Sequence, residues 1–351
     1  MNTRKGMFLG MCQFSECRVS GKAPNNSVCI TGLSGSGKTS RMHVMELDAV
    51  KNGNTVLIID IGQTHSQERI FKKIREEYLE YANYIYAVCD GLGLDLLRPM
   101  KNISGGEELS VNHINSVVQS FSSSCEMGVQ QQAILREAVI DAMDFQSKNP
   151  QMSESEALIA AFMRKRSVRW DGVYQKLWTV LNCNALRPSV CKIMSQRINI
   201  ISFSELDMLS GEILAEVVLS WVWRVIYNNI LPRGYGELVI VLDEFQHISM
   251  KKDAVLRTFL REGRKFNVSL ILGTQTLSVF SSEVVSVLSQ VATRLYFRAT
   301  PEEVGKIARR IGASEIAFWK DKLVTLQVGE CIALGMFEVA NVESERPLIL
   351  R

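Results

Sequence analysis

The sequence has no CxxC pair and no His/Cys cluster at zinc-ligand spacing; its eight cysteines stand apart at positions 12, 17, 29, 89, 125, 183, 191 and 331. That spacing argues against a disulfide framework or a structural zinc site and reads as reduced, ordinary cysteine. His43, His65, His113 and His247 likewise show no metal spacing and read as structural. Long apolar runs free of charge are also missing. The most apolar stretch, residues 213–231, is interrupted by Glu216 and Arg224, so it reads as a buried helix and not a membrane span, which needs about 18 or more apolar residues. Arg4 and Lys5 precede only Met7-Phe8-Leu9, too short for a signal peptide. A cytoplasmic chain without a membrane partner is expected. A strong charge bias is absent too: the net charge is +3, so any nucleic-acid contact must come from a local patch. There is no internal repeat and no low-complexity tail.

What is present is a chain of 351 residues, 46% hydrophobic, enough for one large domain or two small ones with a substantial core. Residues 31–40 read TGLSGSGKTS, between the apolar run Val28-Cys29-Ile30 and a helix-like segment. A second β-branched run, residues 55–60, follows the helix stop Asn52-Gly53-Asn54. Strand, glycine loop, helix and strand in that order make a βαβ unit and a parallel sheet. Gly32-x-x-x-x-Gly37-Lys38-Thr39 is a complete Walker A pattern. Its glycines turn backbone N–H groups inward around phosphates, Lys38 reaches the β and γ oxygens, and Thr39 places its hydroxyl on Mg²⁺. The expected nucleotide contacts are Gly32, Ser34, Gly35, Ser36, Gly37, Lys38, Thr39 and Ser40. A guanine-selecting Asn-Lys-x-Asp is absent, which favours ATP.

Residues 237–243 and 267–273 are further short, continuous apolar runs, as buried parallel strands should be. The first ends in Asp243-Glu244, a Walker B pattern in which Asp243 serves the metal with Thr39 and Glu244 polarises an attacking water. The second ends in Thr274-Gln275, where spacing alone leaves Gln275 as a γ-phosphate sensor or a plain turn residue. Between residues 102 and 197 β-branched runs give way to Ser, Gln, Glu and helical periodicity, which predicts an all-helical insertion. Strands resume at residues 198–202, and residues 293–298, 324–328 and 330–337 predict further strands with a closing hairpin. The predicted division is a hairpin or arm over 1–27, a core of 28–101 and 198–351, and the insertion over 102–197.

Three basic segments stand out. Arg257, Arg261, Arg264 and Lys265 fall at helical spacing on one face, with Asp253 and Glu262 not cancelling it. The readings are a solvated surface, an arginine finger or a nucleic-acid contact. Strand alternation puts Arg294, Tyr296 and Arg298 on one face. Arg164-Lys165-Arg166 with Arg169-Trp170 reads as an exposed loop of the insertion or a phosphate contact. Ile103-Ser104-Gly105-Gly106-Glu107 has the look of an ABC-ATPase signature but lies far from Walker B, so it reads as a helix-start loop.

The order of acidic pair (Leu242-Asp243-Glu244), arginine-rich helix, Arg261-Glu262-Gly263-Arg264-Lys265-Phe266-Asn267-Val268-Ser269 and Gly273-Thr274-Gln275-Thr276 resembles the HerA/FtsK superfamily of ring-forming DNA-pumping ATPases, nearest its HerA and conjugative-ATPase branch. Residues 56–62, 130–143, 292–294 and 329–331 extend the likeness over nearly the whole chain. The resemblance implies an α/β, RecA-like P-loop ATPase core with ATP and Mg²⁺ at subunit interfaces of a homo-oligomer, a hexameric ring. It makes Glu244 and Gln275 catalytic, and it implies an arginine acting between subunits, matched best by Arg264 and Arg261, then Arg294. It implies a motor moving double-stranded DNA, with a nuclease or defence effector as a possible partner. The alternatives are an ATP-gated scaffold for an effector, or a conjugative-transfer ATPase. Family members often carry an N-terminal barrel or membrane anchor, whereas about thirty residues precede the loop here.

Overall fold

Residues 28–31 and 55–60 are buried along their whole length. Such runs are stable only in a sheet covered on both faces, and the computed structural model, which describes residues 6–101, 105–189, 192–228 and 236–351, has that architecture. The chain enters through a hairpin, β1 (Phe8–Cys12) and β2 (Ser15–Val19). β3 (Val28–Thr31) leads through the glycine loop into α1 (Lys38–Lys51), and β4 (Thr55–Asp60) follows. Next come α2 (Arg75–Tyr81), β5 (Ala82–Tyr86) and the short α3 (Ala87–Asp90). Four helices succeed one another: α4 (Ser110–Ser122), α5 (Val129–Lys148), α6 (Glu154–Arg164) and α7 (Val168–Asn182). The chain returns to the sheet with β6 (Ile198–Ser202), α8 (Met208–Tyr227) and β7 (Leu238–Leu242). It continues through α9 (Val255–Glu262), β8 (Val268–Thr274), α10 (Ser282–Leu288), β9 (Thr293–Tyr296), α11 (Pro301–Ile311) and α12 (Ile316–Thr325). The short strands β10 (Cys331–Leu334), β11 (Phe337–Val339), β12 (Val342–Ser344) and β13 (Leu348–Leu350) close the fold.

The main sheet has the order β13-β10-β9-β3-β8-β7-β4-β6-β5. From β9 to β5 every neighbouring pair is parallel, while β10 and β13 are antiparallel additions at one edge. β1, β2, β11 and β12 form a second, four-stranded sheet. Side chains alternate between two cores. Val28, Ile30, Ile58 and Val241 pack with Met42 and Met45 of α1 on one face. Leu57, Ile201, Ile240 and Leu272 pack on the other with α8 and with Phe121, Leu135, Phe162 and Leu177 of α4–α7, so those four helices share one continuous core with the sheet. Ser116 and Ser220 hydroxyls meet at 2.9 Å between α4 and α8.

Two details differ from the sequence reading. Residues 324–328 are not a strand: Val324 lies in α12, where Trp319 and Leu323, four apart, are buried at helical spacing. The edge strand β5 was not anticipated, because Ala82-Asn83-Tyr84-Ile85-Tyr86 is mostly half-buried and lacks a continuous apolar run. Arg4 and Lys5, Ile103 and Ser104 of the helix-start loop, Cys191, and Leu231 at the end of the apolar stretch lie outside the described residues. The seven described cysteines are free, and among the described residues no helix is long and apolar enough to cross a membrane.

A buried polar network fastens α1 to the segment after β4. Glu46 of α1 accepts from Tyr78 Oη at 2.6 Å and stands 3.0 Å from His65 Nε2. Asp60 accepts from the amides of Thr64 and His65 at 2.8 and 3.2 Å, and its carboxylate is 3.8 Å from His65 Nδ1. Burial would lower the His65 pKa, but Glu46 and Asp60 together raise it well above 6.5. Burial would raise the two carboxyls, and His65 instead holds Glu46 below 4.5 and Asp60 below 3.8. His65 thus stabilises the fold fully below its unfolded value near 6.5, and the gain is lost as pH rises through its raised folded value. The carboxylates contribute above their unfolded values, and the gain is lost as pH falls through their depressed ones. His65→Ala leaves Glu46 buried without its cation and should cost about 3–5 kcal/mol at pH 6–7. Urea denaturation should show that cost shrinking as pH falls through the depressed folded values of Glu46 and Asp60, where the carboxylates take up protons; a cost independent of pH would show that the ion pair contributes nothing.

Candidate functional site

β3, β8 and β7 lie side by side, so their C-terminal ends bring the glycine loop, Gln275 and the Asp243-Glu244 pair to one edge of the sheet. Gly35 and Gly37 take left-handed φ values of 73° and 103°. At Gly37 a Cβ would also lie 2.8 Å from the Gly329 amide nitrogen, so both conformation and space demand glycine. Ser36 Oγ donates to the Leu33 carbonyl at 2.7 Å and braces the loop from inside, while Ser34 and Gly35 are exposed at its crown. Lys38 Nζ, donating to the carbonyls of Gly32 (2.8 Å) and Leu33 (3.0 Å), lies across the loop; burial lowers its pKa. Thr39 and Ser40 follow in the first turn of α1, both half-buried.

Thr39 Oγ1 donates to Asp243 Oδ2 at 2.8 Å, joining the two Walker elements directly. Burial raises the Asp243 pKa, opposed by His65, Thr39 and Lys38. Glu244 has φ 60° and ψ 48°, a left-handed conformation costing a non-glycine residue about 1–3 kcal/mol. It is held there by its own amide donating to Asp243 Oδ1 (3.1 Å) and by Gln275 Nε2 donating to Glu244 Oε1 (2.7 Å). Gln275 is therefore no plain turn residue in this structure: it grips the Glu244 carboxylate.

The basic segments fare differently. α9 ends at Glu262, and residues 263–266 form a 3-10 turn, so Arg257, Arg261, Arg264 and Lys265 do not share one helix face. Arg257 is buried, donating to the Met250 carbonyl and to Glu283 at 2.7 Å, and Lys265 pairs with Glu262. The expectation that no acid cancels this face is corrected at both positions. Arg261 and Arg264 are exposed and enter no ion pair among the described residues, and they lie before β8, at the sheet edge away from Gln275. Arg294 Nη2 donates to the Ser289 carbonyl at 2.7 Å within its own chain. Arg164, Lys165 and Arg166 lie 3.2–4.0 Å from Asp141, Glu137 and Asp171, so that segment is largely neutralised.

Two groups escaped the sequence reading. Arg41, two residues beyond Thr39, donates to the carbonyls of Leu9 and Gly329 (3.0 Å to the latter), tying the N-terminal hairpin and the 329 turn to the phosphate loop. A Cβ on Gly10 would collide with its guanidinium. His247, close to Glu212 (2.9 Å) and 3.7 Å from Glu244, flanks the acidic pair. A basic residue inside the first turn of a Walker A helix is the one signal that pointed to Arg41.

No family model matches the chain. A curated probable helicase of Methanocaldococcus jannaschii is 23% identical over 339 residues, covering 90% of this chain and 61% of its own length, so the chain spans about three fifths of that relative. The structure of VirB4 of Thermoanaerobacter pseudethanolicus superposes with a TM-score of 0.72 at 17% identity, over 100% of this chain and 97% of that one. The plasmid coupling protein TrwB in complex with ADP and Mg2+ matches at a TM-score of 0.57 and 13% identity, over 93% and 86%. At these identities the likenesses show the fold alone, and that fold is the RecA-like α/β P-loop architecture described above.

Proposed function

We propose that the protein is an ATP hydrolase that works as a ring, hexameric in this reading, with ATP between neighbouring subunits, and that it moves double-stranded DNA in a cytoplasmic setting. The observation that carries the reading is the pair of contacts Thr39–Asp243 (2.8 Å) and Gln275–Glu244 (2.7 Å) beside the glycine loop. Hydroxyl and carboxylate oxygens form a hard donor set suited to magnesium, and Thr39 and Asp243 would hold it. Bound there, Mg²⁺ supplies charge neutralisation on the β and γ oxygens. Lys38 leaves the loop carbonyls for the same oxygens, and the α1 amides face the phosphates. Glu244, fixed by Gln275, orients the attacking water and holds its proton.

The exposed, unpaired state of Arg261 and Arg264 supports a role toward a neighbouring subunit's nucleotide, because a cation so placed in its own subunit lies far from its own glycine loop. The names of the relatives, a probable helicase, VirB4 and a conjugative coupling protein, support nucleic-acid work as the use of the energy, with conjugative transfer as one setting. A nuclease or other effector as partner belongs to this reading only as an attachment to the motor.

Glu244→Gln should lower ATP turnover by about 10²–10⁴-fold while retaining ATP binding, and Lys38→Ala should lose both; steady-state ATPase assays and nucleotide titration decide, and near-native hydrolysis in either variant sinks the assignment. Arg264→Ala or Arg261→Ala should keep binding and lose turnover. Mixing the affected arginine variant with Lys38→Ala should recover part of the activity, and no recovery under demonstrated subunit exchange would remove the between-subunit role. Duplex DNA should stimulate the ATPase and allow displacement of a protein roadblock; stimulation by a partner protein alone would point to the gated scaffold.

A further inference from the structure

On the face of the sheet opposite α1, under α10 and α11, a cavity of about 380 Å³ is floored by β3 and β9. The in-register pairs Cys29–Arg294 and Thr31–Tyr296 direct all four side chains into it. Thr31 (1% exposed) and Tyr296 (2% exposed) bring buried hydroxyls that lie beside the Cys29 thiol and Arg294 and donate to no carbonyl or carboxylate, and Arg294 Nε is likewise without an acceptor. Arg310 of α11 supplies a second guanidinium, and Ser282, Ser286 and Ser289 complete the rim. No carboxylate lines the space, and Glu283, the acid of α10, is turned away to Arg257 at 2.7 Å. Burial keeps the Tyr296 phenol protonated, its pKa raised above 10, so it stays a donor, and pushes the Cys29 thiol up to about 11, so it stays neutral. Buried donors left without acceptors are costly, and a pocket of donors without an acid is matched by an anion.

We propose that this cavity is a second anion site, distinct from the glycine loop, which takes a dianionic phosphate group, either inorganic phosphate or the terminal phosphate of a mononucleotide. Arg294 and Arg310 provide the charge, and the Tyr296 and Thr31 hydroxyls meet the inner oxygens. Thr31 is the last residue before the glycine loop, and its carbonyl accepts from the Phe297 amide at 2.8 Å, so an anion here touches the strand that positions the loop. The site stands on this chain's own residues and does not require the glycine loop to turn over ATP.

The test uses the full chain carrying Lys38→Ala, which disables the glycine loop, and isothermal titration with inorganic phosphate, AMP and a short single-stranded oligonucleotide in phosphate-free buffer. Saturable phosphate binding is expected, weakened about tenfold or more by Arg310→Ala, whose side chain is exposed and whose loss should leave the melting temperature without phosphate unchanged. Tyr296→Phe should weaken it several-fold. Competition by AMP identifies a nucleotide-borne phosphate, and phosphate binding without AMP competition identifies the free ion; either supports the site. No phosphate binding in Lys38→Ala, binding indifferent to both cavity substitutions, or binding of the oligonucleotide alone would overturn it. Wild-type ATPase activity bears only on the glycine loop, so the two failures are separable.

Discussion

Thr39 and Asp243 are 204 residues apart in the chain and 2.8 Å apart in space. For that contact to form, the strand before the glycine loop and the strand before the acidic pair must end at one level with β8 between them. The register pairs Thr31–Thr274 and Leu242–Leu272 place them so. Burial on both faces fixes this register, because a slip of one residue would exchange the side chains facing α1 with those facing α8. The polar geometry of the site is thus set by apolar packing: Val28, Ile30, Val241 and Ile271 against Met42 and Met45.

The same edge stores strain. Glu244 holds a left-handed backbone that its side chain would not choose, and the next residue enters a 3-10 turn whose Phe245 stacks on Phe280 at 4.9 Å. The turn aims the carboxylate toward Gln275 instead of along the strand. The segment after β4 passes close by, since a Cβ on Gly62 would lie 3.6 Å from Glu244 Oε2. Three residues farther on, His65 is paired with Glu46 of α1. The helix that begins at Lys38 is consequently held near its start by Arg41 and Thr39 and in its middle by Glu46, which leaves the glycine loop between fixed supports.

The central strands and the Walker residues were legible because each is a local signal: a continuous apolar run ending in an acid or a glycine loop. Edge strand β5 was not, because a half-buried edge needs no apolar run. Residues 324–328 misled because Val, Leu and Val in a short span fit a strand or the end of a helix, and only the packing of Trp319 and Leu323 distinguishes them. The basic face over 257–265 failed for a different reason. Helical spacing continues on paper past Glu262, but the chain tightens into a 3-10 turn at Gly263, and the acid that neutralises Arg257 comes from α10, distant in sequence. Gln275 could be placed at a strand tip from the sequence, but its grip on Glu244 depends on two strands being neighbours.

The distribution of free cations follows from the direction of the sheet. Arg264 and Gln275 flank opposite ends of β8, and seven residues at about 3.3 Å each put roughly 20 Å between those ends. No rotamer of Arg264 spans that distance, so within one subunit it has no access to a phosphate held at the glycine loop. Arg257 and Lys265, on either side, are occupied by Glu283 and Glu262. Within the basic segment 257–265 the two arginines without an acid, Arg261 and Arg264, are exposed toward that far edge. A closed ring that stacks the far edge of one subunit over the glycine loop of the next would give those two charges an acceptor, whereas an isolated subunit gives them only water.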